Sequence, residues 1–416
     1  MRSSITLMLA LFLFVPVARG DDAKILPPDA GLPVIDWKDA AKYVNRKVIV
    51  QGKIVATGQS RTISFLNFDR SRSFSAIVRK HNYTNFPKKV TFLYGDKWVR
   101  IRGVISQYKG KPEIEFSRPD QITVLSKAEP IPPPPAPVRR TFNGVVTLGC
   151  YNVLNFFDEY DDPYHNDEGT EPKPRTQLEH LAATIRKADA DVLALEEVEN
   201  RDYLKRFVRA MLPDMGYTNV VCIESNDLRG IDCAVLSRLP VGPVTSYRHV
   251  RFSDGSGGMM RFRRDLLRVR IEPPGGLGFD VFVVHLKSKS GGGDTERIRS
   301  AELTEARKIL EGVLNKDKNA RFVICGDFND TWDSKALKII RGTGPTGLVA
   351  FMDDLPKGTV TFNKEPYRSI IDFVLCSPAM AKRYVSKSYR VIAGTVESSG
   401  SDHNPVLIQF NLAAKK

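Results

Sequence analysis

Hydrophobic and polar positions alternate in two rhythms along this chain, and the change from one to the other divides it. Between Val34 and Ser126 the apolar residues fall in short alternating runs: Val48 to Val55, Thr62 to Asn67, Phe74 to Val78, Val99 to Ser106 and Gln121 to Leu125. Tyr108-Lys109-Gly110-Lys111 supplies a turn into Pro112-Glu113-Ile114-Glu115. Five or six short strands in about 90 residues predict a small all-β barrel. Beyond Phe142, helical stripes appear. Arg175 to Lys187 sets Leu178, Leu181, Ala182 and Ile185 on one face, and Ala301 to Leu314 does the same with Leu303, Ala306, Ile309, Leu310 and Val313. Arg201 to Leu212 is a third candidate helix. Apolar runs around Val192, Val220, Ala234, Leu267, Val281, Val323 and Phe373 lie between the helices and predict strands. Strands interleaved with amphipathic helices predict a layered α/β domain.

At 416 residues the chain exceeds one typical core, in keeping with two units. Glu129-Pro130-Ile131-Pro132-Pro133-Pro134-Pro135-Ala136-Pro137 is proline-rich enough to be an extended spacer. The expected organisation is therefore 34–126 for the barrel, 127–140 for the linker and 141–412 for the larger domain. Residues 1–20 read as a cleaved signal peptide. Arg2 precedes an apolar run from Ile5 to Val17, and Ala18-Arg19-Gly20 puts small residues at the cleavage point. That run is shorter than the ~20 residues of a spanning helix, so a secreted or periplasmic protein without a transmembrane anchor is expected, as a monomer. The five cysteines match no zinc spacing. Cys222 and Cys233 flank a turn-like Ser225 to Gly230, where an exported protein permits a disulfide.

Polar residues stand at the ends of the apolar runs. Gly326-Asp327-Phe328-Asn329-Asp330 follows the strand-like Arg321 to Cys325, and Ser401-Asp402-His403-Asn404-Pro405 precedes Val406 to Phe410. Tyr151-Asn152-Val153-Leu154-Asn155 follows Val145 to Cys150, and Leu193-Ala194-Leu195-Glu196-Glu197-Val198 closes another run. His285 ends the apolar stretch from Val281, and Asp372 is embedded in Ser369 to Leu375. Carboxylate, amide and imidazole groups delivered on rigid strand ends are what metal-assisted attack of water on a phosphate ester requires. Asp372, set among apolar residues, needs a buried partner. Asp330 suits a cap for the segment that follows.

Taken together, these six segments resemble the endonuclease/exonuclease/phosphatase superfamily, the deoxyribonuclease I-like fold, over Phe142 to Asn411. The resemblance implies a layered sandwich of two mixed β-sheets flanked by helices. It implies Glu197 as the principal metal carboxylate, with Asn152 orienting the bound groups and Asp402 as a second metal ligand. It assigns Asp327 to activating the water, Asn329 to donating hydrogen bonds to transition-state oxygens, His403 to the scissile phosphate, Asp372 to orienting His403, and His285 to phosphate binding or leaving-group protonation. Mg²⁺ is the implied ion, with Mn²⁺ or Ca²⁺ as alternatives. Glu196 should face the other side of its strand. Arg264, in Arg261-Phe262-Arg263-Arg264-Asp265, is the preferred phosphate contact, the alternative being a salt bridge to Asp265. The barrel segments Val50 to Ile54, Phe65 to Asp69 and Pro112 to Glu115 resemble bacterial OB-fold domains that bind nucleic acid.

Charge sharpens the choice of substrate. Between Val34 and Ser126 there are 18 Lys+Arg against 7 Asp+Glu, a net of +11 in a chain whose total is +14. A basic barrel carrying Tyr43, Phe68, Phe74, Tyr83, Phe86, Tyr94, Trp98 and Tyr108 suits backbone contacts and base stacking, unless those rings fill its interior. The expected activity is a metal-dependent endonuclease acting on DNA in preference to RNA. The alternatives are a sphingomyelinase-like or other phospholipid phosphodiesterase or phosphatase, and a non-catalytic polyanion-binding protein. The acidic stretch Asp158-Glu159-Tyr160-Asp161-Asp162, with Asp167 and Glu168, reads as a solvated loop, since no EF-hand spacing makes it a Ca²⁺ site. Glycine-rich Ser253 to Gly258 reads as a flexible loop.

Overall fold

A computed structural model of the chain describes residues 26, 29–131, 141–167, 169–289 and 294–414. The expected signal peptide, most of the proline-rich spacer and Glu168 lie outside the described residues.

The first unit is all-β, as the alternation predicts. In Trp98–Tyr108 the residues Val99, Ile101 and Ile105 turn inward while Arg100 and Arg102, on the opposite face, are half-buried and pair with Glu129 and Asp120. This strand pairs antiparallel with Lys47–Lys53 and with Lys111–Glu115. Lys111–Glu115 runs parallel to Ser75–Arg79, which leads through Ile63–Asn67 to Ala56–Gln59. Lys47–Lys53 and Ala56–Gln59 stand far apart in this pairing order yet are consecutive in the chain, so the sheet must curl round on itself. The unit's core holds Val48, Val50, Leu66, Phe68, Phe74, Phe86, Tyr94 and Phe116. Most of the aromatic residues considered for stacking are therefore interior or packed against the core, and Tyr108 alone of that set is largely exposed, joined by Phe92.

The second unit is an α/β sandwich. One sheet has the order Asn219–Cys222, Asp232–Ser237, Val192–Val198, Val145–Phe156, Val406–Asn411 and Arg390–Val391. The other runs Val241–Ser246, Leu266–Ile271, Phe279–His285, Phe322–Asp327 and Asp372–Cys376. Helices Arg175–Ala188 and Arg201–Met211 cover the outer face of the first sheet, and Thr295–Lys316 and Lys335–Arg341 that of the second. The inner faces meet through Val146, Leu148, Val192, Val281, Val283, Val323, Val374 and Ile408. Central strands such as Phe279–His285 are buried on both faces, which is why they read as continuous apolar runs.

Four local features add to the sequence reading. Cys222 and Cys233 are free. Cys222 lies opposite Ala234, so Cys233 is one residue out of register and projects into the inter-sheet core while Cys222 faces the helices. The chain ahead of the barrel packs on the second unit: Leu26 joins its core and accepts a hydrogen bond from Arg206 at 3.0 Å. Glu129, expected in the linker, is fastened to the first unit by Arg100 at 2.8 Å. Ser253 to Gly258 is a tight hairpin turn rather than a loose loop, with Asp254 accepting from the backbone N–H of Ser256 and Gly258.

Candidate active site

The site forms where both sheets end at one edge of the sandwich. In the second sheet His285 lies beside Asp327 in parallel register, and Asp327 beside Asp372 in antiparallel register. Three polar groups thus line up across strand ends. Gly326 makes this approach possible: its φ is +129°, and an added Cβ would stand 2.1 Å from the Val284 carbonyl oxygen. In the first sheet Asn152 lies beside Glu196. A register shift between Glu196 and Val198 then lifts Glu197 out of the ladder with φ +64°. Glu196 is fully buried, as its expected orientation requires, while Glu197 borders the cavity. Leu154, Asn155 and Asn329 also have positive φ. Such clustering of sparsely populated backbone conformations marks functional sites.

Hydrogen bonds knit the two sheets together. Asn152 Nδ2 donates to Glu197 Oε1 at 3.3 Å and to Asp327 Oδ2 at 3.1 Å, so one amide bridges two carboxylates from different sheets. Glu197 Oε2 accepts the Asn155 N–H at 2.8 Å. Asn329 donates its backbone N–H to Asp327 Oδ1 at 2.8 Å, and its Nδ2 to Asp327 Oδ2 and the Leu286 carbonyl, both at 2.9 Å. The Asn329 side-chain amide is therefore shared between Asp327 and the Leu286 carbonyl. His403 Nδ1 meets both Asp372 oxygens at 3.0 and 3.1 Å, and its Nε2 faces Asp327 Oδ2 at 3.8 Å. His285 Nε2 stands 3.6 Å from Asp327 Oδ2 and 3.9 Å from Glu197 Oε1.

Burial sets the charge states. It pushes the Asp327 carboxyl up to about 7, although His403 and the donors on the carboxylate pull the other way. Burial, followed by Arg264, His403 and Arg229, holds the His285 imidazole well below its usual range, so it is neutral. For His403 burial also lowers proton affinity, but Asp372 and Asp327 outweigh it and raise the group to about 10. Burial raises Asp402, opposed by His403. Two imidazoles shifted in opposite directions and a carboxyl raised toward neutral pH thus share one pocket, a divergence that marks a candidate functional site.

Among the described residues the compact acid–histidine grouping is Asp327, Asp372 and His403, with ligand atoms within 4.8 Å of one another. His403 sits between the two carboxylates as a hydrogen-bonded cation, so this trio is satisfied by a proton. Glu197 fits a divalent ion better. It borders the cavity, accepts one hydrogen bond on each oxygen and keeps lone pairs free, with Asn152 beside it and Asp402 on the same wall. Such hard oxygen donors suit Mg²⁺ or Mn²⁺.

Seven of the nine expected site residues line one cavity of about 950 Å³, and the other two, Asn152 and Asp372, bond to its lining from behind. Arg264 lines the cavity but pairs with Asp227 at 2.6 Å, in place of the alternative partner Asp265. Asp330 is not a helix cap. It pairs with Arg299 at 3.0 Å and Lys289 at 2.7 Å, while Ser334 caps the following helix. Sequence reasoning missed Arg229, Lys173 and Ser401. Arg229 borders the cavity and bonds to Asn155. Lys173 donates to the Leu154 carbonyl at 2.7 Å, and burial pulls its ammonium down to about 8. Ser401 donates to the Asn152 carbonyl at 2.7 Å and accepts the His403 N–H at 3.1 Å. The one signal for Lys173 was its place between two prolines; the small residue at 401 gave none.

A family model described as the Endonuclease/Exonuclease/phosphatase family matches residues 147–398. Among solved structures, truncated Caenorhabditis elegans TDP2 is similar at 17% identity and TM-score 0.45, covering 64% of this chain and 98% of that one. The catalytic domain of human Nocturnin with bound sulfate is 18% identical, with TM-score 0.46, covering 66% and 96%. An endonuclease/exonuclease/phosphatase from Bacteroides vulgatus is 18% identical, with TM-score 0.46, covering 64% and 99%. No curated protein matches the sequence. With the family model spanning more than half of the chain, the protein belongs to the endonuclease/exonuclease/phosphatase family of phosphodiester-hydrolysing, typically metal-dependent enzymes.

Proposed function

We propose that this protein is a divalent-metal-dependent endonuclease that hydrolyses nucleic acid, DNA in the first instance, and that it works as a secreted or periplasmic monomer. The observation that carries the substrate class is the wall above the catalytic floor. Arg229, Arg263, Lys287, Lys289, Lys364 and Arg368 all border the one cavity that holds Glu197, Asp327 and His403. A lone phosphate needs far fewer cations; so many bordering one cavity suit a polymer with one charge per residue. Tyr367, 72% exposed on the same rim, offers a ring for a base.

A divalent ion held by Glu197, with Asp402 and Asn152 beside it, would neutralise the phosphate and polarise it toward attack. Asp327 orients a water and takes its proton as the oxygen bonds to phosphorus and the bond from phosphorus to the departing sugar oxygen breaks, that oxygen gaining a proton from solvent, while Asn152 and Asn329 hold the carboxylate in line. His403, kept cationic by Asp372, stabilises the charge that grows on the phosphate oxygens. His285, neutral, donates its proton-bearing edge toward the phosphate. The net +11 unit between Val34 and Ser126, read as an OB-type domain, adds local affinity for the polymer. Among the described residues no helix is long and apolar enough to cross a membrane.

The test is hydrolysis of supercoiled plasmid, single-stranded DNA, RNA and sphingomyelin, each with Mg²⁺, Mn²⁺, Ca²⁺ or chelator, beside Asp327→Ala. Metal-dependent nicking that the variant lacks supports the proposal. Sphingomyelin turnover with nucleic acids left intact overturns it in favour of a lipid phosphodiesterase.

A further inference from the structure

A second cavity, of about 220 Å³, lies away from the catalytic floor and is bordered by Asp158, Asp161, Asp162, Asp167 and Glu199. No lysine or arginine borders it; the single basic residue, His165, is engaged by Asp162 at 3.0 Å and Glu224 at 3.2 Å. The acidic stretch is thus solvated only in part: Tyr160 and Asp161 are exposed, while Asp158, Glu159 and Asp162 are half-buried. Asp167 is 5% exposed and Glu199 7%. Glu199 Oε2 accepts the Asp158 N–H at 2.6 Å, and Asp167 Oδ2 accepts the Asp162 N–H at 3.3 Å. Asp167 Oδ1, however, is buried without any hydrogen-bond partner. A buried carboxylate oxygen left in that state costs several kcal/mol in principle unless something binds it.

From this we infer that the cavity is a Ca²⁺ site, with Asp158, Asp167 and Glu199 as its principal ligands. Helix Arg201–Met211 begins at Asn200, which donates to Asp158 Oδ2 at 3.1 Å. The helix end supplies roughly half a positive charge, too little for five carboxylates. The donors are all oxygen, which excludes soft-ligand metals, and the imidazole is already held on both sides. Waters would complete the shell; the cavity, at about 220 Å³, has room for an ion and several waters at about 30 Å³ each. Ca²⁺ tolerates six to eight oxygens in irregular geometry, whereas Mg²⁺ demands a tight octahedron. The ion would tie the 158–167 segment to the strand end that carries Glu197.

The test is calorimetric titration of the chelator-stripped full chain with CaCl₂ in excess Mg²⁺, in a Glu197→Gln background that removes the principal ligand of the active-site ion. One Ca²⁺ per chain is expected, with affinity falling at least ~10-fold in Asp167→Asn and in Glu199→Gln. Ca²⁺ should raise the melting temperature of the parent and not of these variants. In chelator Asp167→Asn should melt no lower than its parent, because an unpaired charge has gone; if that variant does not fold, Glu199→Gln and Asp158→Asn carry the comparison. Absence of Ca²⁺ binding in the Glu197→Gln protein, or binding undiminished in the folded variants, overturns the assignment.

Discussion

Replacing Asp372 by asparagine retains its shape and removes its charge, which isolates what the carboxylate does for His403. The two groups meet through Nδ1 and both carboxylate oxygens at 3.0 and 3.1 Å, with Asp372 2% exposed. A hydrogen bond to a charged group of this kind contributes about 1.5–3 kcal/mol. If that energy is realised when the phosphate gains charge, kcat/KM should fall roughly 10- to 150-fold. The pH profile should move as well. His403 keeps its proton up to about 10 because Asp372 and Asp327 outweigh burial. Removing Asp372 leaves burial with one opponent fewer, so proton affinity falls and the alkaline limb of the rate shifts to lower pH. Initial rates of plasmid nicking at saturating Mg²⁺ across neutral and alkaline pH measure both effects, with melting and chelator-state DNA affinity as controls for folding and binding. A variant within about threefold of wild type at neutral pH, with an unmoved alkaline limb, would refute the orienting role.

Glu197→Gln should remove metal-dependent turnover by orders of magnitude while DNA binding in chelator persists; loss of both together would make Glu197 structural instead. Lys364→Ala and Arg368→Ala, on the exposed rim, should each raise KM for polynucleotide and lower the slope of log affinity against log salt by about 1, with kcat unchanged. Phe92→Ala and Tyr108→Ala remove the exposed rings of the first unit, each within 6 Å of a lysine (Lys88 at 5.7 Å, Lys109 at 5.5 Å); single-stranded DNA affinity should drop by about 1–3 kcal/mol per ring if bases stack there, and an unchanged affinity removes stacking from that unit's role. Burial, helped by Glu224, raises Asp232 to about 8. A carboxyl raised in the folded state contributes stability that is complete below its ordinary range near 4 and is lost as pH climbs through 8, at up to ~1.4 kcal/mol per pH unit. Melting of Asp232→Asn against wild type should therefore diverge in the variant's favour from pH 5 to pH 8; parallel curves contradict the burial argument.

The layered sandwich was legible because its central strands are covered on both faces and its helices on one, so period and apolar content declare each element. The gathering of the nine candidate residues at one cavity was legible because strand ends are where an apolar run meets Asp327, His403 or Glu197 in sequence. Supporting contacts were not. Arg229 bonds to Asn155 across 74 residues, and Ser401 to Asn152 across 249, through loops whose paths no local pattern encodes. The same holds for Asp167 and Glu199, whose shared cavity depends on a turn meeting a strand end. Ring burial in the barrel followed the reading in which the rings fill the interior: alternation tells which residues face inward, and an interior that small takes most of the rings available.

The Asn152 amide that bridges Glu197 and Asp327 spans the seam of the sandwich, with one carboxylate supplied by each sheet. Neither sheet alone carries a working centre. Catalysis therefore begins only when the two halves dock, and a chain still assembling is latent. Rate becomes a gauge of sheet docking: substitutions at the seam, at Leu148 or Val283 for instance, should silence the enzyme before they unravel either sheet, because a small slide between layers separates partners that each layer still holds in place.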